Sequence, residues 1–400
     1  MSKPELIAMT NEVLEQARQD TMVLADEVMA ISASEYTDPE RYQLEIDNIF
    51  KRVPLMLAPS VELPEPGSYK AMDVVGIPVL ITRQKSGDIK AFLNACTHRG
   101  NPVAEGTGSA ERFMCKYHGW TFKNDGALQG ISAPQDFGKV DKANLCLKQF
   151  PAYESAGFIW VILDPNSKLS IENFLCGYDK VLEELGAKDM HLFASRSLDG
   201  PNWKTAYDGY LDFYHLPVLH QAFAHLSNRS HIFEWGPHQR NCQPTSIRTD
   251  PAQGEIDLLK MKPEDWPEAV HTDGIWTIFP HISVATFYGG LSKCLFISIL
   301  TPGATVEESV TYQYYLTQEK STDPESIAGA QQEFDMLESV VRDEDYATGK
   351  RQHKALQAGL LDKVYFGRNE QGNQLFHGWV NRIIKASDQE LIDIFAADKP

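Results

Sequence analysis

No apolar run in this chain approaches the roughly 20 residues that a bilayer-spanning helix needs, which predicts no membrane partner. Positive charge is scarce as well. Thirty-seven Lys and Arg against 55 Asp and Glu leave a formal charge of −18, so nucleic acid and anionic lipid surfaces are poor partners. Cysteine is sparse, six in 400 residues. Cys146, Cys176, Cys242 and Cys294 have no framework spacing, which suits a reduced cytoplasm. Met1-Ser2-Lys3-Pro4-Glu5 leads into further acids rather than an apolar core region, predicting no secretory signal. Gly106-Thr107-Gly108 lacks the third glycine and the following helix of a dinucleotide fingerprint. Repeats and low-complexity tracts are absent. What remains is ordinary globular composition, 42% hydrophobic and 23% charged, long enough for two or three domain-sized units.

Two short loops stand out against that background. Cys96-Thr97-His98 and Cys115-Lys116-Tyr117-His118 each offer one thiolate and one imidazole, with sixteen residues between them. A structural zinc knuckle more often takes two cysteines from one loop. The mixed pairing suits a 2Fe–2S cluster with two thiolates on one iron and two imidazoles on the other, the Rieske arrangement. Ala91-Phe92-Leu93-Asn94 and Arg112-Phe113-Met114 read as strands leading into the loops. Gly100 and Gly119 allow tight turns that aim N–H groups at cluster sulfurs. A zinc site is the competing reading.

A second constellation follows Asn202-Trp203-Lys204. His215 and His220, with carboxylates nearby, are raw material for a 2-His-1-carboxylate iron site with open positions. Five residues apart, they would point about 140° away from each other on an unbroken helix. Pro217 predicts a bend or stop that swings His220 back. Asp212, three residues before His215, falls on the same helical face. A distant acid is needed to complete the set. Asp323 to Leu356 has helical spacing, with Phe334, Leu337 and Val341 on one stripe that continues to Asp345. Glu344 lies near the edge of that stripe and is the alternative ligand, while Asp343 faces away. The bland readings are two satisfied core histidines and a solvated charge run.

Cys96-Thr97-His98-Arg99-Gly100 and Cys115-Lys116-Tyr117-His118-Gly119-Trp120 resemble the cluster loops of Rieske non-haem iron aromatic ring-hydroxylating oxygenases. The segment with Asp212, His215 and His220 is similar to that family's iron-binding stretch, a carboxylate followed by His three and eight residues later. Asp345, with Gln352 seven positions on, matches its carboxylate pattern. Phe376-His377-Gly378-Trp379-Val380 and the pocket segment Ile278-Phe279-Pro280 also resemble it. The resemblance runs from about Asp38 to the C-terminus. Departures are His281 and Asp208, each where Asn is common, and Pro54-Leu55-Met56, where a Trp is expected.

The resemblance implies the alpha (large) subunit of a terminal oxygenase with an α+β fold. A small all-β Rieske domain (45–165) would precede a larger helix-grip, START-like catalytic domain (166–400) with a curved antiparallel sheet. N-terminal helices (1–44) would pack on the latter. Cys96, His98, Cys115 and His118 would hold the 2Fe–2S cluster, and His215, His220 and Asp345 a mononuclear Fe(II). Asp212 would join an iron-ligating His to a cluster-ligating His of the next chain in a homotrimer, with or without a separate beta subunit. Electrons would come from an NAD(P)H-dependent flavin reductase, directly or through a ferredoxin. The implied reaction uses O2 for mono- or dihydroxylation of an aromatic or apolar substrate, or for oxidative demethylation. The contrasting reading is a non-enzymatic Rieske electron carrier fused to an apolar-ligand-binding domain.

Along the chain, 5–30 reads as an amphipathic helix and Asp38 as the cap of a second helix through Phe50. Strands are expected over 69–84, with a turn at Lys85-Ser86-Gly87-Asp88, and over 157–163. A helix over 170–186 and strands over 274–288, 293–300 and 308–316 follow, and an amphipathic helix over 374–396 closes the chain.

Overall fold

A computed structural model describes residues 3–223, 228–243, 258, 261–289 and 291–396. Helix Lys3–Arg18 buries Leu6, Met9 and Val13 and lies against helix Glu268–Thr272. The longer helix expected over 5–30 stops there for a local reason. Asp20 takes a left-handed φ of 54° and the Thr21 N–H turns back to the Gln16 carbonyl at 2.9 Å. Met29–Ser32 is a strand instead, antiparallel to Lys363–Phe366. Asp38 does cap the next helix: its Oδ1 accepts from the Glu40 and Arg41 N–H groups ahead of Pro39. Helix Pro39–Glu45 then widens into a π turn, Ile46–Phe50, that plugs Ile49 and Phe50 into the core.

The β-rich unit is built of three small antiparallel sheets. One runs in the order Gln149–Phe150, Ile89–Leu93, Ile77–Arg83, Ser68–Val74, Thr107–Ser109. A second holds Arg112–Met114, Thr121–Lys123 and Leu128–Gly130. Leu80, Phe92, Phe113, Trp120 and Phe122 fill the space between these two. Their branched and aromatic side chains alternate inward at strand spacing, each buried one stabilising by roughly 1.5–3 kcal/mol. The third sheet, Ala152–Ser155, Phe158–Val161 and Leu55–Pro59, belongs to a different core. That core runs on through Trp203, Ile297 and Phe376 of the larger unit. Trp160 stands across from Met56, so the indole missing at 54–56 has a neighbour on the adjoining strand.

The larger unit is one seven-stranded antiparallel sheet with helices. Its strands run in the order His191–Gly200, Ser309–Thr317, Ser292–Pro302, Ile282–Gly289, Ile275–Ile278, His238–Cys242, His231–Trp235. The single strand expected over 274–288 is a hairpin, turned at Phe279-Pro280-His281, because Pro280 has no N–H for a ladder. The helix expected over 170–186 is also split. Cys176 and Gly177 both take left-handed φ between Ile171–Leu175 and Tyr178–Glu183. At the C-terminus, Ser387 and Glu390 form a reciprocal cap that divides Gln371–Lys385 from Asp388–Ala396. No helix among the described residues is long and apolar enough to cross a membrane.

Candidate functional site

Asn202 starts the central segment by capping helix Trp203–Asp208, its side-chain oxygen accepting from the Lys204 and Thr205 N–H groups. That helix lies on strands Ser292–Pro302 and Ser309–Thr317 and ends at Asp208, earlier than expected. Pro217 therefore bends nothing. It sits in the first turn of a separate short helix, Leu216–Leu219, where a missing N–H costs no bond. His215 is the residue before that turn and His220 the residue after it. The two rings meet edge to face, with centroids 5.0 Å apart.

Asp212 is not on a helix either. It lies in the connection, where its Oδ1 accepts from the His215 backbone N–H (3.1 Å) and lies 3.0 Å from His215 Nδ1. The long carboxylate helix runs as Pro324–Ser339, a π turn Val340–Tyr346, and Ala347–Gln357. Asp345 Oδ1 reaches His220 Nε2 at 3.2 Å and His215 Nε2 at 3.8 Å. Glu344 Oε2 meets the other nitrogen of His220, Nδ1, at 2.6 Å. Asp343 pairs with Arg342 in solvent.

Donor atoms of His215, His220 and Asp345 lie within 4.8 Å of one another. Two imidazoles and one carboxylate at that spacing fit a divalent first-row metal. The electrostatics agree. Burial pushes the His220 pKa down, yet the Asp345 and Glu344 carboxylates outweigh it and hold the ring above its usual value, so the site favours a positive charge.

Cys96 and Cys115 are both buried and their side chains interact with each other, and the rings of His98 and His118 stand 4.7 Å apart. Trp120 stacks on His98, centroids 4.9 Å apart. Gly100 and Gly119 have φ of 81° and 69°, and their N–H groups donate to the Cys96 and Cys115 carbonyls, not toward sulfur. The groups aimed at the Cys96 sulfur are the N–H groups of His98 and Arg99, which oppose the upward push of burial on that thiol. Among the described residues, His98 Nδ1 is buried with no hydrogen-bond partner. An orphaned imidazole nitrogen on the loop that carries a buried thiol fits a ligand of a 2Fe–2S cluster with mixed ligands.

Around the triad lie two cavities. One of about 110 Å³ is bounded by Phe213, Phe223, Phe296 and Val340 together with His215 and His220. The other, about 480 Å³, is acidic, with Asp208, Asp212, Asp345 and Glu370 in its wall. Burial and the nearby Asp212 and Asp208 raise the Glu370 pKa. Asp208 turns toward helix Gln371–Lys385: its carboxylate accepts from Tyr36 Oη (2.5 Å) and lies 2.9 Å from His377 Nε2. His281 faces neither cavity. It is fully buried against Phe50, and its Nδ1 bonds the Leu300 carbonyl at 2.8 Å. Ile278 and Phe279 also lie in the main core, and the cavity wall is formed by Ile275, Ser283 and Ala285 instead. Tyr36, Glu370 and Asn373 are functional-site neighbours that no local pattern points to, since each arrives from a distant segment.

Mixed Cys/His loops on a β unit, together with a His/His/carboxylate cluster on a helix-and-sheet unit, define the class of a Rieske-type non-haem iron protein. Residues 53–151 match the family model of the Rieske [2Fe-2S] domain, and residues 187–386 that of the ring hydroxylating alpha subunit (catalytic domain). The chain belongs to the ring-hydroxylating oxygenase alpha-subunit family, whose cofactors are a 2Fe–2S cluster and a mononuclear iron.

Among curated relatives, the carnitine monooxygenase oxygenase subunit of Acinetobacter baumannii is 33% identical over 193 residues, 47% of this chain and 52% of that protein. The anthranilate 1,2-dioxygenase large subunit of Acinetobacter baylyi is 32% identical over 215 residues, covering 50% and 44%. The chain thus spans about half the length of the curated relatives it matches. Among solved structures, a quaternary ammonium Rieske monooxygenase superposes with a TM-score of 0.75 at 21% identity, covering 89% of this chain and 95% of that one. Naphthalene 1,2-dioxygenase from Rhodococcus sp. gives 0.72 at 19% identity, covering 96% and 99%. These two share the fold.

Proposed function

We propose that the chain is the terminal oxygenase component of a multicomponent Rieske oxygenase, working in the cytoplasm. The observation that carries this reading is the convergence of His215, His220 and Asp345 between an apolar cavity and an acidic one. In this reading these three hold mononuclear Fe(II), and Cys96, His98, Cys115 and His118 hold the cluster. In this reading the chain divides into N-terminal helices (1–44), a Rieske unit (45–165) and a catalytic unit (166–400). When bound, the two iron groups supply single-electron delivery and oxygen activation. The protein's share is placement. Phe213, Phe223 and Phe296 exclude water and hold an apolar part of the substrate beside the triad. Asp212 fixes the His215 ring through Nδ1 and leaves Nε2 for the metal.

Surface chemistry supports a ring of copies. Arg99, Met114 and Tyr117 are exposed around the cluster loops, with Lys116 paired to Glu105 at 2.8 Å, while Leu361 and Tyr365 are exposed at the acidic cavity. A basic, apolar tip suits an acidic, apolar-rimmed hollow. We infer a homotrimer in which one chain's His118 end seats beside the next chain's Asp212, with a separate beta subunit as an optional addition. A flavin reductase, alone or with a ferredoxin, supplies electrons from NAD(P)H. The substrate is an aromatic or related apolar molecule, undergoing mono- or dihydroxylation or oxidative demethylation.

The test is turnover of a panel of aromatic and N- or O-methylated compounds with a compatible reductase under labelled O2. Label in a hydroxylated or demethylated product is the expected result. Cluster reduction without oxygen uptake on any substrate would return the chain to the electron-carrier class.

A further inference from the structure

We infer that Glu344 is a positioning residue for the mononuclear metal, acting through the far nitrogen of His220. The inference rests on the iron-site reading above and goes beyond it by giving Glu344 a role other than ligand. Its side chain ends 2.6 Å from His220 Nδ1, while Asp345, the next residue, reaches Nε2 of the same ring at 3.2 Å. Two consecutive carboxylates thus grip opposite edges of one imidazole.

The backbone makes that grip possible. Successive residues of an α-helix project roughly 100° apart, too far for neighbours to share one small ring. Residues 344 and 345 lie in the π turn Val340–Tyr346, whose i→i+5 bonding widens the turn and reduces the step between neighbours. Glu344 also carries one methylene more than Asp345, the extra length needed to pass the ring and return to Nδ1. Asp212 serves His215 in the same way, at 3.0 Å from its Nδ1. Both rings are therefore held with Nδ1–H on a carboxylate and Nε2 turned inward to Asp345. The two anchors differ in one respect: Asp212 lies in the wall of the acidic cavity, and Glu344 does not.

A carboxylate that accepts Nδ1–H fixes the tautomer, orients the ring and makes Nε2 a better donor. The arrangement favours a cation. Glu344 and Asp345 place two carboxylates about one imidazole whose residue is only 2% exposed, so a metal cation at Nε2 is attracted by both.

The experiment uses the purified holoenzyme with its cluster intact, stripped of mononuclear metal by chelation. Mn(II) is titrated into wild type, Glu344→Ala, Glu344→Gln and Asp343→Ala, and free metal is read by EPR. Glu344→Ala is expected to weaken Mn(II) binding about 10- to 100-fold. Glu344→Gln should recover part of that loss, because the amide oxygen still accepts from Nδ1–H without the charge. Asp343→Ala should match wild type. The Fe(II)–nitric oxide EPR signal of the reloaded protein gives a readout independent of turnover, and Glu344→Ala should alter its rhombicity by freeing the ring. Unchanged affinity and an unchanged signal in Glu344→Ala would overturn the proposal, as would complete loss of metal there alongside retention in Asp345→Ala, which would make Glu344 the ligand. Wild type that binds no Mn(II) or Fe(II) would instead sink the iron-site reading itself.

Discussion

Replacing Asp212 by Asn separates structure from electron flow. The Asp212 side chain is only 12% exposed, and its Oδ1 serves both the backbone N–H and Nδ1 of His215. An Asn oxygen keeps the acceptor but not the charge. Charge-assisted bonds are about twice as strong as neutral ones, and a neutral bond is worth about 1 kcal/mol net, so the variant should lose about 1 kcal/mol of stability. For a chain of 400 residues that is about 1 °C in melting temperature. Both metal centres and the oligomer should survive. Electron passage should not: if the Asp212 carboxylate holds imidazoles of two chains at once, its neutral replacement loosens the contact through which the electron travels. The assay is single-turnover oxidation of the reduced cluster with substrate and oxygen, read with iron content and gel-filtration mass. Cluster oxidation should slow by at least about tenfold, the lower end of effects seen when a partner of a metal-binding His is changed. Normal oxidation in the Asn variant, or full activity from a monomer, would remove the inter-chain route.

Local spacing carried much of this site, and long-range geometry the rest. The four cluster-loop residues are legible because each pair spans only a few positions, so a single turn fixes their relation. His215 and His220 are brought together as their spacing with Pro217 predicts, but by a different device. The helix has already ended at Asp208, and Pro217 opens a new turn rather than kinking an old one. A stripe counted at 3.6 residues per turn leads to Asp345 and leaves Glu344 at its edge as the alternative, and the π turn brings both to one ring, on opposite nitrogens of His220. The Tyr36–Asp208–His377 cluster joins three segments far apart in sequence, and periodicity holds no information about such meetings. The break at Ser387 was readable, since Ser387 and Glu390 have capping-box spacing.

The triad and the cluster should respond independently. His215→Ala, His220→Ala and Asp345→Ala should each lose mononuclear iron and turnover while keeping the reduced-cluster EPR signal; loss of that signal as well would mean the sites are not separate. Cys96→Ala or His118→Ala should abolish the cluster signal and lower iron from about three per chain, two in the cluster and one mononuclear; zinc in an anaerobic preparation would contradict the assignment. Acid should also weaken the fold through His281. Complete burial holds its pKa down to about 4, whereas the unfolded ring titrates near 6.5. The unfolded chain therefore binds the extra proton first, so stability is intact above about pH 6.5 and falls as pH drops toward 4. Between pH 7 and pH 5 this one ring should cost about 2 kcal/mol. Asn at 281 retains an N–H for the Leu300 carbonyl that His281 Nδ1 contacts but has no proton to gain. His281→Asn should therefore lose less stability than wild type over that interval in parallel denaturant melts, whatever its starting value at pH 7. Equal losses in the two proteins would show that His281 takes up no proton on unfolding.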